Sequence, residues 1–161
     1  MSNEPSSRDS ISRKERANME LWRENKKLIA ITSLIALLPM VAGVLLWKEL
    51  PNTIATHFGL GNVPNGWSGK EAAVFGIPLF CLIAHLLCAF AVPSQPRGKN
   101  MNGKAYKMLL LLCPGASLVC GVSIYGYALS WNVNIEMCVK VFLVCVLLFV
   151  GYSCFASVYR K

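Results

Sequence analysis

LPNTIATHFGLGNVPNGWSGK, residues 50–70, is the longest polar interruption between two hydrophobic runs and the stretch that decides the fold. It holds one of the two histidines of the chain, His57, and a dense set of turn formers: Pro51, Gly59, Gly61, Pro64, Asn65, Gly66 and Gly69. Glycine supplies backbone angles that other residues avoid and proline fixes φ, so the segment specifies tight turns and a shaped loop. A loose tether would be rich in Ser and Lys and would lack Ile54, Phe58, Leu60, Val63 and Trp67. Those apolar residues predict a loop that packs on itself and on a membrane surface, a structured extracytoplasmic cap.

Working outward, the sequence on either side is apolar in blocks rather than in alternation. Of the 161 residues 55% are hydrophobic and only 15% charged, too few to cover the surface of a soluble domain. Four runs are long enough to cross a hydrocarbon core, which takes about 20 residues at a rise of about 1.5 Å. They lie at about 28–47, 72–92, 108–129 and 135–157. The expected fold class is therefore an all-α integral membrane protein with four transmembrane helices, the Gly/Pro-rich cap standing between the first and second. Residues 1–27 form a basic N-terminal segment, 28–157 the membrane domain with the loop 48–71 inside it, and 158–161 a short tail. A cleaved signal peptide has a shorter apolar core and a small-residue cleavage site, whereas Lys48-Glu49-Leu50-Pro51 follows here, so the first span reads as a retained anchor.

The formal net charge of +8 is distributed by side. Seven of the sixteen Lys and Arg precede residue 28, four lie in the loop after the second span (Arg97, Lys99, Lys104, Lys107) and two end the chain (Arg160, Lys161). The positive-inside rule then puts both termini in the cytoplasm of a multi-pass plasma-membrane protein. The basic excess is an orientation signal first; its affinity is for the lipid bilayer, with no nucleic acid implied. Trp47, Trp67 and Trp131 cluster on the outer side and Trp22, Tyr106 and Tyr159 on the inner, as interface belts do. Ser12-Arg13-Lys14-Glu15 fits a capping box and predicts a helix starting near Arg13, after about ten disordered residues. Pro39 should kink the first span. Cys113, Ser117 and Gly121 share a small-residue face for close helix contact. All seven cysteines lie inside hydrophobic runs, which excludes a disulfide framework in the loops and reads as small residues between helices.

The loop carries a resemblance. Leu50-Pro51, Ile54, Thr56-His57-Phe58, Gly61, Pro64, Gly66-Trp67 and Lys70 resemble the signature loop of the SdpI-type bacterial integral membrane proteins, a domain of unknown function between the first two spans. The likeness covers about residues 47–78; beyond it only hydrophobic spans compare. Ala55, Gly59 and Asn65 stand where that family often has Pro, Asn and Asp, and the missing carboxylate weighs against an acid, metal or proton role taken from the family. Immunity-type members are longer, with about six spans. The resemblance implies toxin immunity: protection against a secreted peptide toxin or envelope stress, an extracellular peptide as partner, and in some members capture of a cytoplasmic regulator.

The candidate cap or ligand-contact residues are Pro51, His57, Phe58, Gly61, Pro64, Gly66, Trp67 and Lys70. Ionisable groups inside spans are costly and so are functional candidates. His85 lies near the middle of the second span and needs a hydrogen bond from a neighbouring backbone or side chain. Lys140 lies about one turn into the fourth, where it snorkels outward and pairs with Glu136 at i, i+4. His57 has three readings: a packed loop residue, a pH-sensitive hydrogen bond holding the cap, or a metal ligand with Glu49, Glu71 or Glu136. No HExxH or CxxC spacing supports the last. With no phosphate-binding glycine loop, no GxSxG elbow and no aspartate beyond Asp9, no enzyme activity and no cofactor are expected. The function expected is a non-enzymatic bacterial membrane protein of the toxin-immunity kind. A membrane sensor or scaffold that captures a regulator, or an accessory subunit of a transporter, is the alternative, and a second copy of the chain is a further candidate partner.

Overall fold

A computed structural model of the chain describes the backbone of residues 7–94 and 103–158, and the side chains of 20, 22–91, 106–152 and 155. The expected capping box at Ser12–Glu15, most of the basic loop after the second span, and the residues beyond 158 with Tyr159 lie outside the described side chains. Four long helices, α1 (Ser7–Leu45), α2 (Ile77–Ser94), α3 (Gly103–Ala128) and α4 (Ile135–Val158), carry apolar stretches long enough to cross a membrane. These stretches are Trp22–Leu45, Ala72–Ala91, Tyr106–Ala128 and Ile135–Tyr152, within a few residues of the expected spans except at two ends. The first begins six residues earlier than expected; the fourth is described to Tyr152, and α4 itself runs on to Val158. α1 starts at Ser7 rather than near Arg13, so the part of the expected disordered start that the structure describes is helical.

The expectation of an all-α fold needs correction. The loop is a two-stranded antiparallel sheet, β1 (Thr53–Phe58) and β2 (Pro64–Gly69), joined through a 3₁₀ turn at Leu60–Asn62. Thr and Ile favour extended backbone, and Gly61 and Asn62 take the positive φ, 72° and 63°, that reverses the chain. Register runs from Thr53 opposite Gly69 to Phe58 opposite Pro64, with irregularities on both sides of His57. One extra residue falls on each strand, Thr56 on the first and Asn65 on the second. Bulges of this kind re-aim a side chain.

α1, α2 and α3 pack on one another, and α4 packs mainly on α3. Near mid-membrane α1 and α3 meet at Pro39 and Gly121, where a methyl on Gly121 would sit 2.6 Å from Pro39 Cβ. Beside this contact the Ser117 hydroxyl donates to the Ala36 carbonyl at 2.7 Å, and the Tyr125 hydroxyl to the Pro39 carbonyl at 3.0 Å. The small face of α3 is thus a site of close backbone approach, as membrane helix pairs use when lipid offers no hydrophobic drive. α1 passes through Pro39 as one continuous helix.

Two apolar clusters close the ends of the bundle. At the end away from the hairpin, Ile29, Ala89, Tyr106 and Leu110 pack, with the Tyr106 hydroxyl donating to the Ala89 carbonyl. At the hairpin end, Leu50 and Ile54 join Ala73, Val74, Ile124 and Tyr125. This second cluster makes the hairpin part of the helical core, because Ile54 is 1% exposed. The chain re-enters the bundle through a π-helical turn, Ala72–Gly76, just before Pro78. Pro78 has no amide to give the Val74 carbonyl, so the hydrogen-bond ladder is locally re-registered.

Candidate functional site

The hairpin is clamped at both ends by side chains that serve helix termini. Lys70, 8% exposed, donates from Nζ to the Trp47 carbonyl at 3.1 Å and lies 5.2 Å from the centre of the Trp47 ring. Trp47 belongs to the turn that closes α1, so the ammonium meets the negative end of a helix dipole, a carbonyl without an intrahelical donor, and an aromatic face. The Lys70 amide donates to the Asn52 carbonyl at 2.9 Å, closing the base of the hairpin. At the other end Asn62 Oδ1 accepts the Glu136 amide at 2.8 Å, while Asn134 accepts the Met137 amide at 3.0 Å. Two asparagines, one local and one from the hairpin, therefore satisfy the free amides at the start of α4.

Between these clamps lies a cavity of about 580 Å³, within the range of small-ligand pockets. Its roof is the hairpin, with Thr56, His57, Phe58 and Leu60; its walls are α3 and α4. Val119, Cys120, Ile124, Ile135 and Val139 make those walls mostly apolar. Glu136 and Lys140 stand at one side as an i, i+4 ion pair. Ser123, 4% exposed, is part of the α3 wall, and its hydroxyl has no hydrogen-bond partner among the described residues. An unsatisfied buried hydroxyl of this kind costs about 1–3 kcal/mol.

Of the residues singled out from sequence, His57, Phe58, Glu136 and Lys140 come together around this cavity. His57 is exposed, opposite Gly66, where a methyl would sit 3.0 Å from His57 Cβ; the glycine makes room for the imidazole. Phe58 packs edge-on against Tyr127, ring centres 5.1 Å apart. Gly61 is in the 3₁₀ turn, Pro64 begins β2, and Lys70 is the clamp on α1. Trp67, opposite Ala55, and Pro51 are exposed and do not line the cavity. Among the described residues no group of three or more His, Cys, Asp or Glu is placed to hold a metal ion. Sequence reasoning missed Asn62 and Ser123, which carry no motif. An Asn after two glycines signalled only a turn, and a serine in an apolar run signalled only packing.

His85 is a separate feature, fully buried between α1 and α2. The Thr32 hydroxyl donates to the Leu28 carbonyl at 2.7 Å, so His85 donates from Nε2 to Thr32 Oγ1 at 3.0 Å. Its Nδ1 has no hydrogen-bond partner among the described residues. The six described cysteines are free thiols, and Cys88 on α2 neighbours Cys113 on α3.

Four apolar helices and a hairpin folded onto one end of them define a multi-pass membrane protein. Residues 34–82, from mid-α1 through the hairpin into α2, match the family model of a domain of unknown function (DUF1648). Neither the curated proteins nor the solved structures contain a match to the chain.

Proposed function

We propose that the protein is a non-enzymatic component of a bacterial cytoplasmic membrane, with both termini inside, that protects the cell against a secreted peptide toxin or envelope stress. The resemblance of Leu50–Lys70 to the SdpI-type immunity loop motivates this reading. The observation that carries it is that the loop is a folded hairpin clamped onto α1 and α4 and roofing a cavity, rather than a tether. A rigid extracytoplasmic surface with His57 beside an apolar hollow suits contact with an amphipathic peptide. The deciding experiment is survival of a toxin-sensitive Gram-positive host under spent medium from the source organism. Wild type, His57→Ala and empty vector are compared with membrane abundance matched. Survival with wild type alone supports the reading; equal killing of all three removes it.

A second reading, a sensor or scaffold that captures a cytoplasmic regulator, is favoured by the length of α1. The apolar stretch starts at Trp22, yet the helix begins at Ser7. The intervening turns carry Arg8, Arg13, Lys14 and Arg16 among Asp9, Glu15 and Glu20, a charged helical extension of the first span. Pull-down with residues 1–27 and 93–107, compared with binding to anionic lipid alone, tests it.

A further inference from the structure

The cavity under the hairpin has the layered chemistry of one particular kind of amphiphile. Glu136 and Lys140 at its side carry one charge of each sign and sum to zero. Their side chains are 35% and 69% exposed, and an exposed i, i+4 pair is weakly held, so Lys140 can turn to a ligand group of opposite charge while Glu136, which the Gly61 amide also engages, keeps its place at the rim. His57 on the roof adds a further polar group. Val119, Cys120 and Val139 offer only apolar surface.

We propose that this cavity is a specific site for one zwitterionic phospholipid whose headgroup ends in a primary ammonium. The phosphate is held by Lys140 and His57, and the ammonium donates to the Glu136 carboxylate. An acyl chain follows Val119, Cys120 and Val139. Charge complementarity selects this occupant. A purely anionic headgroup leaves Glu136 facing a phosphate of its own sign, and a quaternary ammonium has no N–H to give the carboxylate. The site does not rest on the protective reading, since the hairpin would be lipid-bound whether it meets a toxin or not.

Native mass spectrometry of the full chain tests it, in detergent micelles with dioleoyl-phosphatidylethanolamine, -phosphatidylcholine or -phosphatidylglycerol at equal concentration. The expected result is one phosphatidylethanolamine adduct, several-fold more abundant than either other lipid at the activation energy that strips loosely held lipid. Glu136→Gln, which leaves the packing untouched, should bring phosphatidylethanolamine down to the phosphatidylcholine level. Val139→Trp, which fills the cavity from the α4 wall, should remove the adduct while far-UV circular dichroism is unchanged. Equal retention of all three lipids by the wild type means annular lipid only and overturns the site. An undiminished preference in Glu136→Gln overturns it as well.

Discussion

Asn62, in the turn of the hairpin, accepts the backbone amide of Glu136, 74 residues later, at 2.8 Å and so caps the start of α4. The bond ties α4, which packs mainly on α3, to the hairpin as well. It also closes one edge of the cavity, which both residues line.

Removing that cap should loosen α4 locally. Asn62→Gly keeps the positive φ of 63° but deletes the acceptor, while Asn62→Ala adds backbone strain. A loss of about 1 kcal/mol is expected for the glycine variant and more for alanine. Hydrogen exchange of the amides at 136–138 should accelerate in both, with the α1–α3 contact unaffected.

Lys70 should matter through packing rather than net charge. Lys70→Met leaves the Trp47 carbonyl without its side-chain donor, and a drop of about 1–3 kcal/mol in detergent is expected. Glu71→Gln, one residue on and exposed, should lie within about 0.5 kcal/mol of wild type. Thermal unfolding followed by tryptophan fluorescence separates the two, since Trp47 reports the clamp directly.

The His85–Thr32 bond should behave as a coupled pair. Thr32→Val removes one acceptor of the His85 ring and leaves it the Ile29 carbonyl, and His85→Leu leaves the Thr32 hydroxyl with its own-helix carbonyls. A double-mutant cycle is expected to give a coupling on the order of 1 kcal/mol, the usual size for hydrogen bonds between membrane helices. A coupling indistinguishable from zero would mean that neighbouring groups replace the bond.

At Gly121 even alanine should be felt. Its methyl would stand 2.6 Å from Pro39 Cβ and force α1 and α3 apart, at about 1–3 kcal/mol. Gly151→Ala on α4, where nothing lies within 4 Å of the added carbon, should be near neutral, and comparing their midpoints in denaturant checks the contrast.

Sidedness has its own test. Asn65→Cys in the exposed part of the hairpin should react with a membrane-impermeant maleimide in intact cells, if the hairpin is extracytoplasmic as the distribution of Lys and Arg implies. Protection until the cells are lysed would reverse the orientation.

The number and position of the apolar helices were legible in the sequence, because a span needs only length and apolarity, both local properties. The shaped nature of residues 50–70 was legible too, since Gly, Pro and Asn act on their own backbone. Its strands were not. Ile54, Thr56 and Phe58 alternate over too few residues, and what settles this segment as a strand is pairing with Pro64–Gly69 and burial of Ile54 against the π-helical turn and α3. The Glu136–Lys140 pair follows from spacing along one helix. Asn62 beneath α4, Lys70 on the end of α1, and Ser123 in the wall of a cavity depend on how distant segments meet. Sequence alone determined four apolar helices with a turn-rich cap between the first two. Tertiary structure decided that the cap is a hairpin, that it is clamped to two helix termini, and that it roofs a cavity, because those outcomes are set by long-range contacts that no local propensity encodes.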